Sequence, residues 1–178
     1  MSNFDTMFEN LLVWEGGFVN HHNDLGGATN MGITLRTLSE WRDNPCTVED
    51  IKKLTKKEAK AIYYQWYYKR AGIDLLPDEF QPFMFDSCVL FGAKTAWRFM
   101  QLALNHLDNA NLVTDGICGA KTIAAMNEVG RYKDISMDNI LEELVRQRTI
   151  YHQQRVAANP SQRDFMKGWL NRLKQFGA

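Results

Sequence analysis

The sequence has few cysteines, few prolines, no surplus of charge and no long apolar run, and each shortage excludes something. Cys46, Cys88 and Cys118 are odd in number and widely spaced. They cannot make a complete disulfide framework, and without a Cys-x-x-Cys pair they do not suggest zinc. Free, buried thiols in a protein made in a reducing cytosol are the expected state. Lys+Arg and Asp+Glu both number 21, so the formal net charge is zero and no global field draws the chain to nucleic acid or anionic lipid. The apolar runs fall far short of the roughly 20 residues of a membrane span, so no membrane insertion is expected. Met1 to Asp5 shows no basic region leading into an apolar core, so no signal peptide is expected either. The alternating pattern of a sheet is missing, apart from one segment that could make a short hairpin.

What is present is helical periodicity over a composition that is 45% hydrophobic and 12% aromatic, enough for a substantial core in 178 residues. Phe4, Met7, Phe8, Leu11 and Leu12 fall on one stripe, with Ser2 and Asp5 as a capping box, and Gly16-Gly17 should end this helix near Glu15. Residues 16 to 30 are rich in glycine, asparagine and histidine, a loop of unusual length for a compact domain. Thr34 begins a helix with Leu35, Leu38 and Trp41 facing inward. Thr47-x-x-Asp50 and Thr55-x-x-Glu58 are two further capping boxes, the second opening a helix to about Arg70. Further helices are expected near 78–90, 93–107 and 137–158, with a last one carrying Phe165, Trp169 and Leu173. The polar stretch 108–118 marks a division into lobes, 1–107 and 108–178. The expected class is all-α.

The chemistry concentrates in Trp14-Glu15-Gly16-Gly17-Phe18-Val19-Asn20 and the residues that follow, through Thr34. Glu15 closes an amphipathic helix beside Trp14. The negative end of the helix dipole and an aromatic neighbour both favour a neutral carboxyl, the form a general acid needs. A solvated helix-end glutamate is the ordinary alternative.

This segment resembles the signature of the glycoside hydrolase family 108 muramidases of phages and prophages, which opens Glu-Gly-Gly-aromatic-Val-Asn. The signature continues as Asp-x-Gly-Gly-x-Thr, here Asp24 to Thr29, and as Gly-Ile-Thr, here Gly32 to Thr34. Downstream, Ala61-Ile62-Tyr63 with Tyr67-Tyr68, and Phe85-Asp86 before Gly92, are similar to the family's middle. Asp115-Gly116-Ile117-Cys118-Gly119-Ala120-Lys121-Thr122 resembles the start of a small peptidoglycan-binding module, and Phe165 to Arg172 its C-terminal helix. The resemblance covers nearly the whole chain.

It implies a lysozyme-like helical domain with a small C-terminal helical lobe and room for one short β-hairpin beside the active site. Lobe 1–107 would be catalytic and lobe 108–178 peptidoglycan-binding, or simply a buttress. The implied reaction is cleavage of the β-1,4 bond between N-acetylmuramic acid and N-acetylglucosamine, with Glu15 as acid. A second group is required on the far face of the sugar. Asp24 is the candidate, being the other carboxylate of the signature, with an Asx-turn as its structural alternative. Thr29 or Thr34 would position water or sugar, although Thr34 also suits a helix N-cap.

Gly26 and Gly27 of the signature are candidate substrate-binding positions. His21-His22 departs from the family pattern, and His22 is a candidate glycan contact that would make activity pH-dependent near roughly 6–7. In the aromatic run, Tyr63, Trp66 and Tyr67 share a helical face suited to the core, which leaves Tyr64 and Tyr68 for the cleft. Asp86 is a buried carboxylate needing a partner, with substrate binding as its second reading. No cofactor or metal is called for. The expected partner is the glycan strand of peptidoglycan, acted on by a monomer. Its place would be the periplasm after release from the cytoplasm through a holin-like membrane protein, in phage-type lysis or in release of a protein or toxin. A lytic transglycosylase, a non-catalytic wall-binding module and a chitin hydrolase are the rival readings.

Overall fold

The computed structural model describes residues 3–19, 28–132 and 135–177. They are overwhelmingly helical, with a single two-stranded antiparallel hairpin among them, and the fold is all-α. Packing separates two compact units, Met1–Arg70 and Ala71–Ala178.

In the first unit, α1 (Asn3–Glu15) buries the stripe Phe4, Met7, Phe8 and Leu11, and it ends where Gly16 takes a φ of 69°. β1 (Thr29–Asn30) and β2 (Ile33–Thr34) pair with Thr29 opposite Thr34 and Asn30 opposite Ile33. Between them Met31 and Gly32 have φ values of 50° and 74°, the double positive φ of a tight hairpin turn. Alternation buries Asn30 and Ile33 and leaves both threonines half-buried on the other face. Asn30 fixes the hairpin from below, donating to the carbonyl of Ile51 at 2.9 Å. Val19 extends the ribbon by exchanging two backbone hydrogen bonds with Thr29.

α2 (Leu35–Arg42) is capped by Thr34, and α3 (Val48–Lys52) by the complete Thr47/Asp50 box. Thr55 caps α4 (Lys56–Ile62), but the Glu58 side chain does not close the box. It forms a two-pronged pair with Arg42, 2.8 Å on each prong, which holds the Glu58 carboxyl below its usual range.

α4 runs on as a π-helix over Tyr63–Lys69, with Arg70 N–H bonding the Gln65 carbonyl five residues back. This changes which aromatics share a face. Tyr63 and Tyr68, five apart, are both buried at 1% and 9% exposure, whereas Tyr64 keeps 37%. Tyr68 packs on Phe4 with ring centres 5.1 Å apart. It belongs to the core, so the cleft position expected from a 3.6-residue period is corrected.

In the second unit, α5 (Gln81–Phe91) is buried along most of its length and packs on α6 (Ala93–Asp108), which packs in turn on α7 (Ala120–Tyr132) and α8 (Met137–Ala158). Packing thus groups α5 and α6 with the later helices. After a 3₁₀ segment, Pro160–Phe165, α9 (Met166–Leu173) lies against α8.

Asp86 sits at the centre of this unit. Its Oδ2 accepts from Arg148 at 2.6 Å and its Oδ1 from Arg172 at 2.9 Å, and the residue is 5% exposed. A carboxylate so engaged has no room for a sugar hydroxyl, and the substrate contact considered for it is withdrawn. Gln101, also buried, reads the Asp115-Gly116 turn. Its amide donates to Asp115 Oδ1 at 2.8 Å, and its oxygen accepts from Gly116 N–H at 2.8 Å. At Gly116 any Cβ would overlap the Lys94 carbonyl.

The three thiols are free. Cys88 is buried, and burial pushes it up to about 12, whereas Cys46 and Cys118 are only half-covered. Among the described residues no helix is long and apolar enough to cross a membrane.

Candidate active site

The first unit brings together three sequence-distant groups around one backbone atom. α1 delivers Glu15 at its C-terminus, half-buried, while Trp14 beside it keeps 42% of its surface open. The hairpin turn delivers Gly32, and the π-helix delivers Tyr63. A Cβ placed on Gly32 would overlap the Tyr63 hydroxyl and lie 2.9 Å from Glu15 Oε2 and 3.1 Å from its Cγ. The glycine therefore allows both side chains to press against the turn. The Tyr63 hydroxyl donates to the Met31 carbonyl at 3.0 Å, tying the π-helix to the same turn. π-helical turns often occur at functional sites, where the extra residue re-aims a side chain.

Thr34 lies two residues from Gly32, and Thr29 faces it across the ribbon. Thr34 Oγ1 accepts from the Thr37 N–H at 3.1 Å and shares a 2.9 Å hydrogen bond with the Thr37 hydroxyl, so its capping role is occupied. Tyr64 meets Phe4 edge-on at 5.0 Å and leaves its other side to solvent. Asp24, Gly26, Gly27, His21 and His22 lie outside the described residues. Tyr63 and Gly32 are the additions to the expected set. Helical spacing assigns Tyr63 to the core, and it is buried, but its hydroxyl lies against the same turn as Glu15. Gly32 stood in the motif without a role of its own. Among the described residues no cluster of three or more His, Cys, Asp or Glu could hold a metal ion.

This constellation sets one carboxyl at the edge of a turn with a phenol against the same turn, a placement that suits a proton donor. The chain matches the family described as glycosyl hydrolase 108 over residues 8–92, which span Glu15, the hairpin and the π-helix. It belongs to glycoside hydrolase family 108. Residues 95–174 match the family described as "Predicted Peptidoglycan domain". Among solved structures, SagA of Brucella abortus is 31% identical, with a TM-score of 0.77 over 97% of this chain and 90% of that one. No curated protein matches. The family 108 chain is thus a glycoside hydrolase of the peptidoglycan-hydrolase type, joined to a peptidoglycan-binding domain.

Proposed function

We propose that this family 108 chain hydrolyses the β-1,4 bond between N-acetylmuramic acid and N-acetylglucosamine, with Glu15 donating a proton to the departing glycosidic oxygen. The observation that carries the reading is the placement of Glu15 against Gly32 and Tyr63, inside the segment matched to the glycosyl hydrolase family. Asp24 is proposed as the second carboxylate, acting as nucleophile or as base for water, with Thr29 and Thr34 on the half-buried face of the hairpin positioning water or the sugar. Glycan strands are the partner. Action in the periplasm after holin-type release, in phage-type lysis or in export of a protein or toxin, is proposed on resemblance alone.

The test is a zymogram in peptidoglycan with wild type and Glu15→Gln, paired with melting curves. Wild type should clear the gel. Glu15→Gln should melt normally and lose at least about 10²-fold to 10⁴-fold of the rate. Equal clearing by both proteins, or by neither, overturns the assignment. Mass spectrometry of the digest separates hydrolysis from transglycosylation, because an anhydro-sugar product is one water lighter.

A further inference from the structure

The domain matched to peptidoglycan binding carries a groove of about 250 Å³ between α6 and α8. Its walls are two helical stripes, Thr95, Arg98, Phe99 and Leu102 on one side and Gln147, Ile150, Tyr151 and Gln154 on the other. Phe99 and Tyr151 meet edge-on at 5.5 Å and make a stiff apolar floor, with Phe91 packed behind both rings at 6.1 and 5.2 Å. The rim is polar. Arg98 and Gln154 are exposed, and Arg98 has no ion-pair or hydrogen-bond partner among the described residues. Gln147 turns its amide nitrogen away to Glu143 Oε1 at 2.6 Å, which leaves the carbonyl end of the amide for a donor.

The charge of this lining sets it apart. It contains one cation and no acidic residue. Two other grooves of the same unit include Asp108 and Glu128 against Lys121, and Glu142 and Glu143 against Arg146. Those would repel an anion, while the α6–α8 groove attracts one. Sugar recognition usually employs an open aromatic face; Phe99 is 2% exposed and offers none to a pyranose, which leaves the half-buried Tyr151 as the one aromatic of the lining that reaches solvent. The volume lies a little below the usual range for small-molecule pockets, enough for a residue or two of peptide.

We propose that this groove binds the acidic stem peptide of peptidoglycan, with Arg98 on a carboxylate and Gln147 and Gln154 on peptide amides. The inference rests on the reading of peptidoglycan as the substrate, and adds that the second unit recognises the peptide and the first unit the glycan. The attraction is between exposed charges, so it weakens with salt.

The test uses the full chain carrying Glu15→Gln, so that the wall is not digested during measurement. Retention on intact sacculi is compared with and without Arg98→Ala or Gln154→Ala, at low and high salt. Purified stem tetrapeptide and peptide-free glycan strands serve as separate ligands. Arg98→Ala should weaken sacculus and tetrapeptide binding about tenfold at low salt, with less effect at high salt, and should leave peptide-free glycan binding unchanged. Unaltered sacculus affinity overturns the proposal, and so does an equal loss on peptide-free glycan. Failure of the hydrolase reading is read separately, as inability of wild type to cut peptide-free glycan. Arg98 is solvent-exposed, so its removal should not disturb folding, and an unchanged melting curve checks this.

Discussion

At Gly32 two constraints coincide: a φ of 74°, which side chains with a Cβ adopt with strain, and the close approach of Glu15 and Tyr63. Gly32→Ala should therefore push the acid off its position. Misplacement of a catalytic group by about 1 Å can cost on the order of 10²-fold in rate, and that is the loss expected here. Removing the tyrosine hydroxyl relieves the worst overlap, so the double variant Gly32→Ala with Tyr63→Phe should recover part of the loss. A four-way kinetic comparison measures this. Full activity in Gly32→Ala alone would show that the turn does not brace the acid. Tyr63→Phe by itself removes the bond to the Met31 carbonyl and should cost about 1 kcal/mol of stability.

Between elements, Asp86 does the joining in the second unit, because one carboxylate on α5 holds arginines from both α8 and α9. Arg148 is fully buried, lies over the Phe83 and Phe91 rings at 5.7 and 5.2 Å, and leaves its Nε and Nη2 without hydrogen-bond partners among the described residues. Burial lowers the pKa of this guanidinium, with the Asp86 charge opposing the shift. Taking the carboxylate away strands two cations in a poorly solvated interior. Asp86→Ala should cost about 3–5 kcal/mol, equivalent to roughly 10 °C or more in Tm for a chain of this size. Calorimetry would check it, and a loss under about 1 kcal/mol would mean that the pair is not the hinge of the packing.

On the scale of the whole molecule, the consequence is acid sensitivity. His152 is fully buried, stacked 4.7 Å from Trp169, with neither ring nitrogen hydrogen-bonded among the described residues. Burial first, then the charges of Arg148 and Arg155, holds it down at about 4. In the unfolded chain a histidine titrates near roughly 6.5. Above that pH the residue is neutral in both states and stability is unaffected by it. As pH falls from there toward 4, only the unfolded chain gains the proton, so stability drains away, by on the order of 3 kcal/mol in all. Melting temperature should decline across this window in wild type and decline less in His152→Phe. Parallel curves for the two proteins would rule out His152 as the cause.

How much was legible beforehand follows from how far apart the interacting residues are. The end of α1 at Glu15, the caps at Thr34, Thr47 and Thr55, the bounds of α8 and the hairpin in the glycine-rich loop depend on hydrogen bonds and periodicity within a few residues. The sequence alone determined them. The family signature lies in one continuous stretch and was readable for the same reason. The register of the aromatic run was not, because a π-turn shifts the period and nothing local in Tyr63-Tyr64-Gln65-Trp66-Tyr67-Tyr68 announces it. Asp86 finds partners 62 and 86 residues away, Tyr63 reaches a carbonyl 32 residues back, and the α6–α8 groove joins stripes about fifty residues apart. Those pairings are selected by packing, which chooses among many possible neighbours only once the helices have docked, so the tertiary structure alone decided them.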